Sequence, residues 1–315
     1  MGNRARTSHS LRRLVESYLL CCDTEGKSRD TLRWYRQKLD AFVSYVDQET
    51  PSPNLRHVDT DSVRDFLSHL QSLGRTAFTT RGYVQVLKGF GTWLVEEGYL
   101  NRNPLHLFQL PRVPKYLVKP LSGAEVSALI GAIKPRSAAG TRDLALLLLL
   151  FDTGARLGEV ARLTEADAED AIRDGLFKVM GKGSRERYLP VGKVARDAIR
   201  RYTQVYRPDV RADALFLGRN GRPLASEGLR QIIRRVARRA GVDGVHPHRL
   251  RHTFAVNYLV NGGDAMTLQR ILGHSTLEMV RRYVNFDHRA IRERHSLASP
   301  SDRFWAERGL RLSRT

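Results

Sequence analysis

The stretch HPHRLRHTFA, residues 246–255, and the stretch LGHSTLEMVRRYVN, residues 272–285, gather histidines and arginines around a single tyrosine, Tyr283. His248 and Arg251 are three positions apart, so on a helix they lie on one face. The tyrosine follows on a short amphipathic pattern of its own. The two stretches predict a helical domain in which cationic side chains and a phenol come together.

Two further residues extend this set. His274 comes just past a predicted helix. The stretch TGARLGEVARL, residues 153–163, supplies Arg156 two positions beyond a glycine that ends a buried helical run. Arg156 is therefore predicted to begin the next helix and to face inward or into a cleft. Glu159 lies one turn further on, where we expect it to orient this arginine and not to act as an acid.

A lysine completes the set. GKGSRERYLPV, residues 181–191, reads as a turn followed by a strand, and it places Lys182 at the tip of the turn. Lys178 is the alternative, but it lies inside the preceding predicted strand. The other histidine of the HRLRH stretch, His252, is predicted to support the site from behind.

The rest of the chain predicts two domains. Residues 1–108 carry helical patterns that suit a four-helix bundle. Repeated prolines exclude a continuous helix across residues 109–120, which are predicted to be a linker. Residues 121–315 form the second domain, which ends in a tail beyond Tyr283.

The second domain is predicted to be helical apart from one small sheet. A capping box of Ser122 and Glu125 opens its first helix. Asp174-Gly175 and the GKG turn punctuate residues 168–191, which predicts a three-stranded antiparallel meander there. The predicted fold class is mainly α with a small antiparallel β-sheet.

The charge of the chain favours a polyanionic partner. The 315 residues carry a formal net charge of +20, with only two cysteines and 41% hydrophobic residues. Basic side chains neutralise phosphates and release counterions, so double-stranded DNA is the predicted partner. An anionic membrane is the weaker alternative, and no stretch predicts a span or a secretion signal, so a cytoplasmic protein is expected. The DNA-binding candidates are exposed arginines on two predicted helices, with solvated charge as the alternative: Arg29, Arg33, Arg36, Arg230, Arg234 and Arg238.

These side chains suit attack on a phosphodiester without a metal. Negative charge develops on the non-bridging oxygens, which planar guanidinium groups stabilise well. A tyrosine can form a covalent link, but its ordinary pKa of about 10 calls for a nearby acceptor or cation. Lysine or histidine can protonate the departing sugar oxygen. No phosphate-binding loop or dinucleotide fingerprint occurs, and the HPH pair has no carboxylate cluster beside it, so no metal and no cofactor are predicted.

The same segments resemble the tyrosine recombinases, the family of phage integrases and Xer-type recombinases. FGTWLVEEGYLNRNP, residues 90–104, is similar to the end of that family's core-binding (SAM-like) domain, and residues 120–290 are similar to its catalytic domain. The resemblance implies a clamp of two domains around duplex DNA. It also implies the following roles: Arg156 and Arg251 hold the scissile phosphate, Lys182 is the general acid, His248 is a proton acceptor or phosphate ligand, His274 donates to a non-bridging oxygen, and Tyr283 is the nucleophile.

The function implied by the resemblance is site-specific DNA recombination. A 3′-phosphotyrosyl intermediate would form without metal or ATP, and strands would be exchanged through a Holliday junction. The implied partners are DNA with paired inverted recombination sites and further copies of the chain in a tetrameric synapse, with room for an accessory or sister recombinase. A type IB topoisomerase-like enzyme and a non-catalytic DNA-binding relative remain as alternatives.

Overall fold

The computed structural model describes residues 10–50, 52–112, 119–181, 186–208, 210–273, 295–296 and 299–302. The chain forms two compact units, Met1–Tyr116 and Leu117–Thr315. The prediction of a mainly helical fold with one small antiparallel sheet is confirmed. Across the described ranges, no helix has the length and apolar character needed to cross a membrane.

The first unit is a helical bundle. Side-chain caps begin three of its helices; at Asp59, for example, the carboxylate accepts the backbone N–H groups of Asp61 (2.9 Å) and Ser62 (2.8 Å). Leucine, phenylalanine and valine side chains of all the helices meet in one core. The helices are α1 (Leu11–Thr24), α2 (Arg29–Glu49), α3 (Thr60–Ser72) and α4 (Ala77–Glu96).

One basic residue of α2 lies in the core. Lys38 is 8% exposed, and its Nζ lies 3.9 Å from the centroid of the Tyr83 ring. Burial, aided by the charge of Arg75, lowers the pKa of Lys38. The face of the Tyr83 ring attracts the ammonium group and stabilises it within the core. The spacing of apolar residues in the sequence does not reveal this contact.

Within the described ranges, the second unit packs helices and two paired strands around one core. The strands pair antiparallel, with Leu176 opposite Pro190 and Met180 opposite Glu186. Its elements are α5 (Gly123–Gly131), α6 (Ala138–Thr153), α7 (Leu157–Val160), α8 (Glu165–Asp174), β1 (Leu176–Met180), β2 (Glu186–Pro190), α9 (Lys193–Arg201), α10 (Ser226–Ala240), α11 (Pro247–Val260) and α12 (Ala265–Leu272).

The prediction of a three-stranded meander over residues 168–191 is wrong, because its first part is the helix α8. Thr164 and Asp167 form a capping box that starts this helix, and Gly175 ends it with φ of 75°. The Asp174-Gly175 pair thus marks a helix terminus and not a hairpin turn. Within the described residues the sheet has two strands.

A buried ionic cluster connects α6 to α10 and to the segment that precedes α10. Asp143 and Arg142 are each 5% exposed. One Asp143 oxygen accepts the Nε (3.0 Å) and Nη2 (2.7 Å) of Arg142, and the other accepts Nη2 of Arg235 (2.7 Å). Arg142 also donates through Nη1 to the Leu217 carbonyl at 2.8 Å. The carboxylate is thereby satisfied at both oxygens inside the core.

Candidate active site

Arg156 is placed by the end of α6. Gly154 ends that helix in the left-handed region, with φ of 59°, and a Cβ there would lie 3.0 Å from Cδ2 of Leu272. Arg156 then caps α7, and Glu159 accepts its backbone N–H at 2.7 Å and its Nη1 at 3.2 Å. The expected contact between Arg156 and Glu159 is therefore present. The Arg156 side chain remains 37% exposed.

Arg251 contacts the same helix end as Arg156. It is 6% exposed on α11 and donates through Nη1 to the Gly154 carbonyl and through Nη2 to the Leu272 carbonyl, each at 2.6 Å. Arg156 donates through Nη2 to the next carbonyl, that of Gly273, at 3.5 Å. The two arginines predicted to bind one phosphate thus meet at the carboxyl end of α12.

The helix that carries Arg251 is fixed from its other side. Thr253 accepts the backbone N–H of Leu121 at 2.8 Å and donates to the Arg249 carbonyl at 2.7 Å. Arg249 reaches the Lys119 carbonyl (3.1 Å) and Glu125 (2.9 Å). Glu125 belongs to the predicted capping box, which is confirmed. These contacts hold α11 against the start of the second unit.

His248 lies at the exposed start of α11, among positive charges. Partial desolvation of the ring lowers its pKa, and the charges of Arg251, Arg156 and Arg230 lower it further. His248 therefore shares one electropositive region with Arg156 and Arg251. The neutral imidazole that results can accept a proton at neutral pH.

Sequence reasoning did not select Arg187, which the fold brings into this region. It lies on β2 with its side chain 10% exposed, and its Nη1 and Nη2 reach the two oxygens of Glu159 at 2.6 and 2.9 Å. Its Nε donates to the Ile271 carbonyl at 2.8 Å. The sequence did contain a signal for Arg187: it lies two residues before Leu189 and so shares the buried face of the strand. A charged residue on that face needs a partner.

Glu159 is the buried carboxylate of this group, at 4% exposure. Burial acts to raise its pKa, but the hydrogen bonds from Arg187 and from the Arg156 backbone, with the charges of both arginines, more than offset that effect. The net pKa lies below its ordinary value, so Glu159 is ionised at neutral pH. It acts as a counter-ion and is unsuited to be a general acid.

Three of the predicted catalytic residues, Lys182, His274 and Tyr283, lie outside the described residues. In the sequence, Lys182 falls between the two strands, since β1 ends at Met180 and β2 begins at Glu186. The alternative lysine, Lys178, is exposed on β1 and pairs with Glu186 at 2.9 Å.

The predicted DNA-binding arginines of α10 lie on its exposed side. Arg230 forms an ion pair with Glu227, and Arg234 lies 3.8 Å from the same carboxylate. Arg238 is exposed. The charge of Arg230 also lowers the pKa of His248, so this part of α10 lies near His248.

The predicted DNA-binding arginines of α2 are exposed as well. Arg33 donates to Asp30 at 3.1 Å and Arg36 donates through Nη2 to Glu16 at 2.8 Å. Exposed pairs of this kind are weak and exchange readily with other anions. Arg29 precedes them at the first position of the helix.

Comparison with known proteins places the chain among DNA-recombining enzymes. The phage integrase family matches residues 119–289, and the N-terminal SAM-like domain of phage integrases matches residues 15–98. Tyrosine recombinase XerC of Staphylococcus carnosus is 31% identical, over 92% of this chain and 98% of that relative. The chain belongs to the phage integrase family. Within this family it is a tyrosine-type, site-specific recombinase of the Xer type, as predicted.

A second relative and two solved structures are also similar to this chain. Tyrosine recombinase XerD of Listeria innocua is 28% identical, over 86% of this chain and 93% of the relative. A lambda integrase dimer bound to a COC' core site has a TM-score of 0.70 at 18% identity, covering 89% of this chain and 78% of that one. A lambda integrase tetramer bound to a Holliday junction has a TM-score of 0.70 at 17% identity, covering 91% and 81%. These structures confirm the fold.

Proposed function

We propose that this recombinase cuts and rejoins duplex DNA through a 3′-phosphotyrosyl link to Tyr283, without metal or ATP. The observation that supports the proposal best is that Arg156 and Arg251 meet at the carboxyl end of α12, with His248 near enough for both charges to lower its pKa. In the sequence, His274 follows Gly273, the C-cap of α12. Cations gathered at one point suit a single phosphate with developing negative charge.

In the proposed reaction the phenolic oxygen of Tyr283 bonds to phosphorus while the bond to the 5′ oxygen breaks. The phenolic proton passes to His248, whose lowered pKa keeps it neutral and able to accept, and Lys182 gives a proton to the departing oxygen. Arg156, partly exposed, and His274 bind the non-bridging oxygens. A 5′ hydroxyl then attacks the phosphotyrosine and releases the phenol, so one phosphoester replaces another and no external energy source is required.

The proposal includes the partners. Lambda integrase has been crystallised as a dimer on a core site and as a tetramer on a Holliday junction. By analogy, four copies of this chain would join two DNA sites, each an inverted pair, and exchange strands through such a junction in the cytoplasm. The exposed arginines of α2 and α10 would contact backbone phosphates. An accessory or sister recombinase fits the same scheme.

The test is a covalent-trapping experiment on the full chain. The Tyr283→Phe protein first selects its binding site from a library of duplexes. Duplexes nicked at successive positions across that site are then incubated with the wild type, so that the short cleaved strand diffuses away. We expect a covalent adduct on a denaturing gel with wild type and none with Tyr283→Phe. Tyr188→Phe, which removes a hydroxyl from an exposed tyrosine of β2, is the matched control and should form the adduct.

The outcomes separate the alternatives. If wild type binds the selected site but forms no adduct at any nick, the chain is a DNA-binding relative without this chemistry. If an adduct forms and supercoiled plasmid is relaxed without any paired site, the topoisomerase-like alternative is correct. Products joined between two sites, formed only when both sites are present, support the recombinase.

A further inference from the structure

We infer that Arg187 is a positioning residue: by occupying both oxygens of Glu159, it leaves the guanidinium of Arg156 available to the scissile phosphate. The inference rests on the proposed function and adds a residue to its site. From β2, the Arg187 side chain crosses to Glu159 of α7 and to the Ile271 carbonyl near the end of α12.

Arg187 joins the three backbone segments that flank candidate catalytic residues. It lies five positions after Lys182, its partner Glu159 lies three after Arg156, and its partner Ile271 lies three before His274. One rigid planar group therefore fixes three segments relative to each other.

The carboxyl end of α12 shows the same organisation. Its last carbonyls are each taken by a different arginine: Ile271 by Arg187 at 2.8 Å, Leu272 by Arg251 at 2.6 Å, and Gly273 by Arg156 at 3.5 Å. The negative end of a helix stabilises nearby cations, which explains why the guanidinium groups gather there. The first two bonds are short, whereas that of Arg156 is long. Arg156 is the least committed of the three.

Arg156 is the least committed arginine because Arg187 competes with it for the Glu159 carboxylate. Arg187 binds this carboxylate with both Nη groups, at 2.6 and 2.9 Å, whereas Arg156 reaches it with one, at 3.2 Å. A buried carboxylate left without its partner is strongly destabilising, which favours its pairing with a neighbouring cation. Without Arg187, the Glu159 carboxylate is therefore expected to draw Arg156 into a two-bonded pair. The phosphate would then have to compete with that pair.

The packing at Gly273 shows how closely Arg187 is held. Gly273 has φ of 62°, and a Cβ at this position would lie 3.0 Å from Cδ and 3.1 Å from Nε of Arg187. The glycine thus permits both the left-handed turn and the close passage of the arginine. The turn that leads to His274 is built directly against the Arg187 side chain.

The experiment compares cleavage by full-length Arg187→Gln, Glu159→Gln and the double variant on the trapping duplex described above. We expect Arg187→Gln to slow adduct formation on the order of 100-fold, a size typical of a misplaced catalytic group, with little change in DNA affinity. Adding Glu159→Gln removes the charge that competes for Arg156. The double variant should therefore form the adduct roughly tenfold faster than Arg187→Gln alone. Arg173→Gln, which removes an exposed arginine bonded to Asp170 and Asp174, is the matched control and should cleave like wild type.

A merely structural role for Arg187 predicts the opposite order, because a second substitution in a damaged core makes the protein worse. The inference is therefore overturned if the double variant is no faster than Arg187→Gln, or if Arg187→Gln equals wild type. Should Arg187→Gln fail to fold, Arg187→Lys with and without Glu159→Gln gives the same comparison. If wild type itself forms no adduct, the proposed function fails, but the pairing of Arg156 with Glu159 can still be tested. Proton exchange at the Arg156 guanidinium, measured by NMR, must be slower in Arg187→Gln than in wild type; otherwise the inference is overturned.

Discussion

Replacing Asp143 by alanine tests whether the ionic cluster between α6 and α10 stabilises the second unit. Its carboxylate receives two bonds from Arg142, at 3.0 and 2.7 Å, and one from Arg235, at 2.7 Å. The two arginines differ in their surroundings, because the side chain of Arg142 is 6% exposed and that of Arg235 is 38% exposed. After the substitution Arg235 can turn toward water, but Arg142 stays buried with only the Leu217 carbonyl as a partner.

The magnitude follows from that buried charge. Breaking a buried pair by removing one partner costs about 3–5 kcal/mol, because the remaining charge is left uncompensated. For a domain of this size, each 1 kcal/mol lowers the melting temperature by about 2–4 °C. Asp143→Ala should therefore lower the melting transition of the second unit by about 6–20 °C.

Differential scanning calorimetry of the full chain is the appropriate assay, since it resolves the transition that shifts. Asp170→Ala is the control: this aspartate also pairs with an arginine, Arg173, at 2.6 Å, but both side chains are more than 60% exposed. Exposed pairs contribute roughly 0–1 kcal/mol, so this transition should move by at most a few degrees. Equal shifts for the two variants would refute the reasoning, because burial would then have no bearing on the strength of the pair.

Two further results are expected. Gly154→Ala should destabilise the chain in thermal unfolding by clearly more than Gly241→Ala, because both positions have positive φ but only the former has neighbours within reach of a Cβ; equal losses would leave backbone strain as the whole effect. In an NMR titration of the histidines, Arg230→Gln should raise the pKa of His248, because one of the positive charges that disfavour the imidazolium is removed. The acidic limb of the pH–rate profile for cleavage should then move to higher pH. An unchanged or lower pKa of His248 would contradict the geometry of the cluster.

The parts of the fold that the sequence predicted well depend on local chemistry. A side-chain cap acts within three residues, so the pair Ser122 and Glu125 could be recognised directly. The same kind of signal was present at Thr164 and Asp167, and applying it there would have identified α8 in place of a third strand. The Asp174-Gly175 pair was ambiguous because glycine with positive φ serves both helix ends and hairpin turns.

The parts that the sequence did not predict depend on contacts between distant segments. Arg187 meets a carboxylate 28 residues away and a carbonyl 84 residues away, so no periodic pattern marks it. Lys38 belongs to a helix with a clear apolar stripe, but its ammonium group is accommodated by a ring on another helix. The resemblance to a family gave residues and roles, whereas the supporting contacts had to come from the fold.

The arrangement around α12 explains how a site with so much positive charge can fold before any DNA is bound. Among the described residues of the cluster, Glu159 is the one full negative charge shared by Arg156 and Arg187. The backbone carbonyls at the end of the helix supply the remaining acceptors, and they do so without neutralising the cations. A carboxylate in their place would hold each guanidinium more tightly but would also repel a phosphate. Carbonyl acceptors therefore give an anion site that is ordered and still positively charged, and this property depends on α12 ending just before its C-cap, Gly273.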